Sequence, residues 1–264
     1  MQHQYTPNLG AADTDEVSRR HSSQAAVGKQ ALQQRLECLD WQAITAQLWE
    51  FGYCQTPPVL TPAECETLVN LYADDTKFRS RIDMARYRFG EGEYKYFADP
   101  LPPLVQTLRL HTYAPLAELA NSWMEALGKP ERYPDMLPAF LEQCRALGQS
   151  KPTPLLLRYV TGGYNCLHQD LYGDMAFPLQ LTCFLSRPND DHTGGAFLLV
   201  EQRPRAQSRG DALTPAQGAM VIFATQFRPV AGQRGYYRTT MRHGVSRVTS
   251  GERYTLGIIY HNAQ

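Results

Sequence analysis

The hydrophobic period of this chain changes once, at Pro154, and no other feature constrains the fold as strongly. Before that point, apolar residues recur every three to four positions, as in Trp41, Ile44, Leu48 and Phe51, the spacing of one helix face. Thr61-Pro62-Ala63-Glu64 reads as a helix start, with Thr at the N-cap, Pro at the first helical position and Glu at the third. A longer helical run passes through Leu104, Leu108, Leu116, Leu119, Trp123 and Leu127, and another covers Met136 to Leu147. After Pro154 the apolar runs are short: Leu155–Tyr159, Leu179–Leu185, Ala196–Val200, Ala219–Phe223 and Tyr254–Tyr260. Clusters of Gly, Pro, Asn and Asp separate them, as they separate strands. A helical half followed by a β-rich half predicts an α+β fold, with helices flanking a sandwich or barrel. We expect residues 1–35 to be a disordered tail, 36–150 a helical support region, and 151–264 a β core forming one domain with it.

Composition removes several function classes. Among the 264 residues no apolar run approaches the roughly 18–20 needed to cross a membrane. The first residues lack an apolar stretch, so a secretory leader is not expected and the chain reads as cytoplasmic. Its six cysteines contain no C-x-x-C pair, which suggests buried, reduced thiols. Net charge is 0, so attraction of the whole molecule to nucleic acid is not the default. The two halves differ, however. Residues 1–150 carry 14 basic and 19 acidic side chains, and residues 151–264 carry 12 and 7. Arg203, Arg205, Arg209, Arg228, Arg234, Arg238, Arg242 and Arg247 face only Asp211 between Gln202 and Val248, with Phe227, Tyr236 and Tyr237 among them. Arg mixed with aromatics suits phosphate and base contact; pairing with acids elsewhere is the competing reading. The segment RYRFGEGEYKYF (86–97) would either lid a site or pack over a barrel edge.

His168-Gln169-Asp170 follows a strand and the turn Thr161-Gly162-Gly163. In extended chain, residues i and i+2 share a face, so one imidazole and one carboxylate can converge on one ion. His243, on a later segment, would complete a 2-His-1-carboxylate face and leave open positions on Fe(II). Zinc also takes His and carboxylate. Arg253 and Thr255 lie ten and twelve residues further on. They share a strand face, so a guanidinium and a hydroxyl can grip one carboxylate. His192 and His261 read as structural.

This pattern of H-x-D, a distal His and an Arg ten residues beyond it resembles the Fe(II)/2-oxoglutarate-dependent dioxygenase superfamily. Tyr159-x-x-Gly162-Gly163 ahead of His168 is similar to prolyl-hydroxylase-like members. FGEGEYKYF (89–97), PTPLLLRY (152–159), YNCLHQDLYG (164–173), LVEQRPRAQSR (199–209) and RHGVSRVTSGERYTLGIIYH (242–261) resemble a bacterial subfamily of oxygenases acting on methylation-damaged DNA. The resemblance implies a double-stranded β-helix, of jelly-roll or cupin type, from about residue 155 to 260. It implies His168, Asp170 and His243 as iron ligands, Arg253 with Thr255 on the distal carboxylate of 2-oxoglutarate, and Tyr159 and Tyr164 as cosubstrate contacts. Prolyl hydroxylases carry a Tyr three residues before the first metal His, where this chain has Asn165. The cofactors implied are Fe(II), 2-oxoglutarate and O2, and the products are succinate, CO2 and a hydroxylated substrate carbon. Halogenating relatives lack the carboxylate that Asp170 supplies. Two substrate classes follow: alkylated nucleic acid met through the Arg203–Arg247 stretch, or a protein or amino-acid side chain. A non-catalytic ligand-binding β-helix is the third reading. We expect His243 to face the surface, so that His243→Ala spares the fold.

Overall fold

The computed structural model describes residues 30–264; most of the expected tail lies outside the described residues. Among the described residues, five α-helices run through the first half: α1 over 30–37, α2 Trp41–Phe51, α3 Pro62–Asn70, α4 Pro103–Ala126 and α5 Leu137–Ala146. Helix α3 begins as its sequence predicts. The Thr61 hydroxyl accepts from the Glu64 amide at 3.2 Å and the Glu64 carboxylate accepts from the Thr61 amide at 2.8 Å, closing a capping box. Residues 30–35, assigned above to the tail, are helical instead. Leu32 and Leu36 are fully buried, and Arg35 reaches Glu64 of α3 at 2.5 Å.

The first half also contributes strands, which the helical reading of 36–150 missed. They are β1 (Tyr53–Gln55), β2 (Phe78–Asp83), β3 (Gly90–Glu91) and β4 (Glu93–Phe97). Charge hides β4 from a hydrophobic pattern. Its Lys95 is buried, donating to the Tyr72 carbonyl at 2.8 Å and to Asp75 at 2.6 Å. The second half supplies β5 (Leu155–Val160), β6 (Tyr164–His168), β7 (Leu179–Phe184), β8 (His192–Gly194), β9 (Phe197–Gln202), β10 (Arg209–Leu213), β11 (Met220–Ala224), β12 (Phe227–Gly232), β13 (Gly235–Val245) and β14 (Val248–Ile258).

Two antiparallel sheets face each other. The larger runs β1-β11-β7-β14-β5-β4-β2 and the smaller β10-β9-β13-β6-β3, with β12 paired to β13. The described strand and helix arrangement is that of a double-stranded β-helix with flanking helices. Alternation along the larger sheet divides its residues between two environments. Leu156, Leu181, Cys183, Ile222, Leu256 and Ile258 join the helices in one core with Leu48, Leu68, Leu108 and Trp123. The intervening residues turn toward the smaller sheet, where Phe184, Val221 and Phe223 meet Phe197 and Leu199. The space between the sheets is therefore apolar at one end, and polar side chains there need a reason.

The six cysteines are free; Cys54, Cys65, Cys144 and Cys183 are buried, whereas Cys38 and Cys166 are exposed. Among the described residues no helix is long and apolar enough to cross a membrane.

Candidate active site

His168 ends β6 and pairs directly with His243 of β13. The register shifts between His243 and Val245, a bulge of the kind that re-aims a side chain. Gly244 sits in that bulge because a Cβ there would lie 2.7 Å from the Asn165 carbonyl oxygen. The two imidazoles approach to 4.2 Å between ring centres. Asp170 lies between them, its carboxylate 3.4 Å from His168 Nε2 and 3.3 Å from His243 Nε2. One ligand atom from each of the three residues falls within 4.8 Å of the others.

Neighbours orient this group. His168 Nδ1 lies 2.8 Å from the Cys166 carbonyl, which can only accept, so Nδ1 carries the proton and Nε2 offers its lone pair. Tyr172 donates to one oxygen of Asp170 at 2.9 Å, and Tyr96 donates to Tyr172 at 3.0 Å. Gln180 donates to the other oxygen at 2.9 Å. Burial disfavours the Asp170 anion, yet the neighbouring His168 and His243 hold its pKa well below the usual carboxylate range. Burial also opposes charge on His168, but Asp170 outweighs it and raises that pKa. Burial, then the charge of His168, lowers His243. An anionic Asp170 and a neutral His243 are the forms that donate to a cation. His243 is buried against Phe223, with ring centres 4.7 Å apart. The expectation that it faces the surface is therefore wrong, and truncating it removes core contacts.

Among the described residues three arginines are buried almost completely, and their partners distinguish them. Arg109 donates to the carbonyls of Ile259 and Tyr260 and to the Asn262 side chain. Arg228 donates to Glu201 at 2.7 Å and to the Trp49 carbonyl at 2.8 Å. Arg253, 2% exposed, has neither terminal guanidinium nitrogen hydrogen-bonded among the described residues. It lies over the rings of Tyr159 at 5.5 Å and Phe184 at 5.4 Å. Gly195 makes room for it: a Cβ there would lie 2.7 Å from the Arg253 Cδ, at a backbone φ of +67°.

Arg253, Thr255, Tyr159 and the three-residue group line one cavity of about 360 Å³. Arg253 pairs with Tyr159 across β14 and β5, so these residues belong to the larger sheet and the histidines to the smaller. Asn165 also lines the cavity and donates to the Tyr159 hydroxyl at 3.3 Å. Tyr164 does not line it; its ring lies under Arg247 at 5.1 Å. His192 and His261 are outside the metal-competent group. His261 Nδ1 accepts from the Phe177 amide at 3.1 Å.

The sequence reading missed Gln180 and Tyr172, which hold Asp170, and Tyr94, which lines the cavity. The first had a signal: Gln180 and Thr182 alternate within the fully buried β7, where a shared polar face needs a polar task. The Arg203–Arg247 stretch is not a single free surface. Glu201, just outside the counted window, pairs with Arg203 at 2.5 Å and Arg228 at 2.7 Å and lies 3.7 Å from Arg209.

Residues 92–263 match a family described as "Oxygenase, catalysing oxidative methylation of damaged DNA". Two Mycobacterium tuberculosis proteins, uncharacterized protein MT2286 of strain CDC 1551 / Oshkosh and uncharacterized protein Rv2227 of strain ATCC 25618 / H37Rv, are each 47% identical over 167 residues. The match covers 63% of this chain and 72% of each relative. Among solved structures, an oxidoreductase of the 2OG-Fe(II) oxygenase family from Burkholderia pseudomallei superposes with a TM-score of 0.51. It is 16% identical, over 86% of this chain and 93% of that one, a likeness of fold. The family match spans well over half of the sequence, so this chain belongs to that oxygenase family and is an oxidoreductase built on the fold of the 2-oxoglutarate/Fe(II) oxygenases.

Proposed function

We propose that this protein oxidises a methyl group on damaged nucleic acid, using Fe(II), 2-oxoglutarate and O2. The observation that carries the chemistry is Arg253. A buried cation with two unsatisfied donors is costly, and the cost makes sense where an anion completes it. The donor set fits the cofactors: two imidazole nitrogens and one carboxylate leave open positions for an Fe(II) ion. His168, Asp170 and His243 would hold it. Arg253, always protonated near neutral pH, offers a fork that matches the far carboxylate of 2-oxoglutarate, with the Thr255 and Tyr159 hydroxyls beside it. Bound together, Fe(II) and 2-oxoglutarate supply an O2-dependent oxidation that releases succinate and CO2.

The chain's own residues prepare that event. Tyr172 and Gln180 occupy one lone pair on each Asp170 oxygen and so fix the carboxylate's rotation. Leu155, Leu157, Val245 and Ile259 along the cavity exclude water and lower the local dielectric. Asn165 orients the Tyr159 hydroxyl. A hydroxylated N-methyl group collapses to amine and formaldehyde without further help from the protein. The nucleic-acid substrate is supported by the family's description.

The test compares single-stranded oligonucleotides bearing one N-methylated base with a peptide panel, following succinate and formaldehyde. Formaldehyde release in proportion to succinate, with the oligonucleotide alone, supports the reading. Peptide hydroxylation without it would replace this substrate with a protein. No 2-oxoglutarate consumption by the Fe(II)-loaded protein under any condition would leave a ligand-binding β-helix.

A further inference from the structure

The cavity is too small to hold a nucleic-acid strand. At about 360 Å³ it sits near the lower end of small-molecule pockets, roughly 300–1,000 Å³, and the cosubstrate shares it. Only the reacting group enters, and the rest of the substrate must rest on the rim. Phe89, Arg88 and Leu167 form part of that rim. Tyr87 stacks on Phe89 with ring centres 5.6 Å apart and planes 19° from parallel. Both rings are half exposed, at 49% and 47%. Neither Arg86 nor Arg88 has an ion-pair partner among the described residues.

Packing and backbone hydrogen bonds tie this rim to the sheet. Met84, fully buried with Tyr159, Val245 and Val248, anchors the loop from beneath. The Phe89 amide donates to the Met84 carbonyl at 3.0 Å, and the Cys166 amide donates to the Phe89 carbonyl at 2.8 Å. Arg88 has a φ of +60°, a region that non-glycine residues occupy rarely and at some cost. The Tyr87–Phe89 pair is thus fixed beside the two residues that lead into His168.

We propose that Tyr87 and Phe89 form a stacking platform for the base adjoining the reacting one in an unpaired nucleic-acid strand, with Arg86 and Arg88 taking the flanking phosphates. The inference rests on the nucleic-acid reading above. Aromatic faces accept any base, and an unpaired Arg fork matches a phosphate. A base inside a duplex could not reach the ligands, so the strand must be single or the base extruded.

The experiment uses the full chain loaded with Fe(II) and 2-oxoglutarate, and a single-stranded oligonucleotide with one N-methylated base. Tyr87→Ala/Phe89→Ala should raise the oligonucleotide KM about tenfold or more, the loss expected for one stacked base, with kcat close to wild type. Tyr87→Phe should restore the wild-type KM. Arg88→Gln should lower the slope of log affinity against log salt by about 1. Thermal midpoint and 2-oxoglutarate affinity report folding of each variant. An oligonucleotide KM within twofold of wild type in the double variant overturns the platform. So does a double variant that loses 2-oxoglutarate affinity in parallel, since the rings would then be structural. Wild-type turnover of a methylated peptide but no oligonucleotide overturns the nucleic-acid reading itself.

Discussion

Replacing Arg253 by Met should move stability and function in opposite directions. Burial lowers the Arg253 pKa from 12.5 to about 10. At about 1.4 kcal/mol per pKa unit this places about 3 kcal/mol against the charged form in the folded protein. The Tyr159 and Phe184 rings beneath it return roughly 1–2 kcal/mol as cation–π attraction. The cosubstrate-free protein therefore carries a net cost of about 1–2 kcal/mol at this position. Met keeps most of the aliphatic volume and removes the charge. At roughly 2–4 °C per kcal/mol for a chain of this size, the Tm without cosubstrate should rise by about 2–8 °C. Both the folded and the unfolded pKa lie far above neutrality, so the gain should be constant between pH 6 and 8.

Cosubstrate binding should respond the other way. Removing one partner of a buried ion pair costs about 3–5 kcal/mol, so 2-oxoglutarate should bind at least a hundredfold more weakly at about 1.4 kcal/mol per tenfold. Anaerobic calorimetry with Fe(II) and 2-oxoglutarate prevents turnover and reads the affinity directly. Melting curves with and without 2-oxoglutarate read the stability. Iron binding should survive. A variant that binds 2-oxoglutarate within threefold of wild type, or melts several degrees lower without it, would refute the assignment of Arg253.

Gly195→Ala would place a Cβ against the Arg253 side chain at a positive φ; 2-oxoglutarate affinity should fall about tenfold or more although no cosubstrate contact is removed, and an unchanged affinity would show that Arg253 has room to move. Glu201→Ala leaves the buried Arg228 without its carboxylate partner, so denaturant unfolding should show a loss of about 3–5 kcal/mol; a loss under 1 kcal/mol would mean that Arg228 is satisfied by the Trp49 and Pro229 carbonyls, which accept from it at 2.8 and 3.3 Å. Burial lowers His261 to about 4 from 6.5. The unfolded chain therefore takes up that proton first, and stability should fall by up to about 3 kcal/mol as pH drops from 6.5 to 4. His261→Gln keeps an acceptor for the Phe177 amide and should flatten the slope, whereas equal slopes would place the titration elsewhere.

The gathering of His168, Asp170, His243 and Arg253 in one cavity was legible because it depends on residue types at set spacings. H-x-D, the distal His and the Arg ten residues beyond it name their own partners, and the period change at Pro154 announced the sheets. What stayed hidden depends on neighbours that sequence distance does not reveal. Lys95 made β4 look like a charged loop because its ion pair with Asp75 forms only in the fold. Glu201 neutralises arginines from three segments, one of them 27 residues away. His243 was expected at the surface, yet alternation along β13 turns Arg242 outward and His243 inward.

The helical half explains how so much site geometry survives on strands. No residue of α1–α5 lines the cavity, yet these helices decide which residues do. A slip of one position along β14 would turn Arg253 and Thr255 toward the helices and bring Glu252, Tyr254 and Leu256 into the cavity. The unpartnered guanidinium would be replaced by an acid. Leu256 and Ile258 oppose that slip because they are buried completely against helical residues, at about 25 cal/mol for each Å² of apolar surface kept from water. The metal-competent histidines are fixed on the smaller sheet, and stacked sheets stand about 10 Å apart. The helices therefore act through register: they hold Arg253 on the inner face of one sheet, opposite the metal-competent histidines on the other, and under the proposed function one small diacid spans that gap.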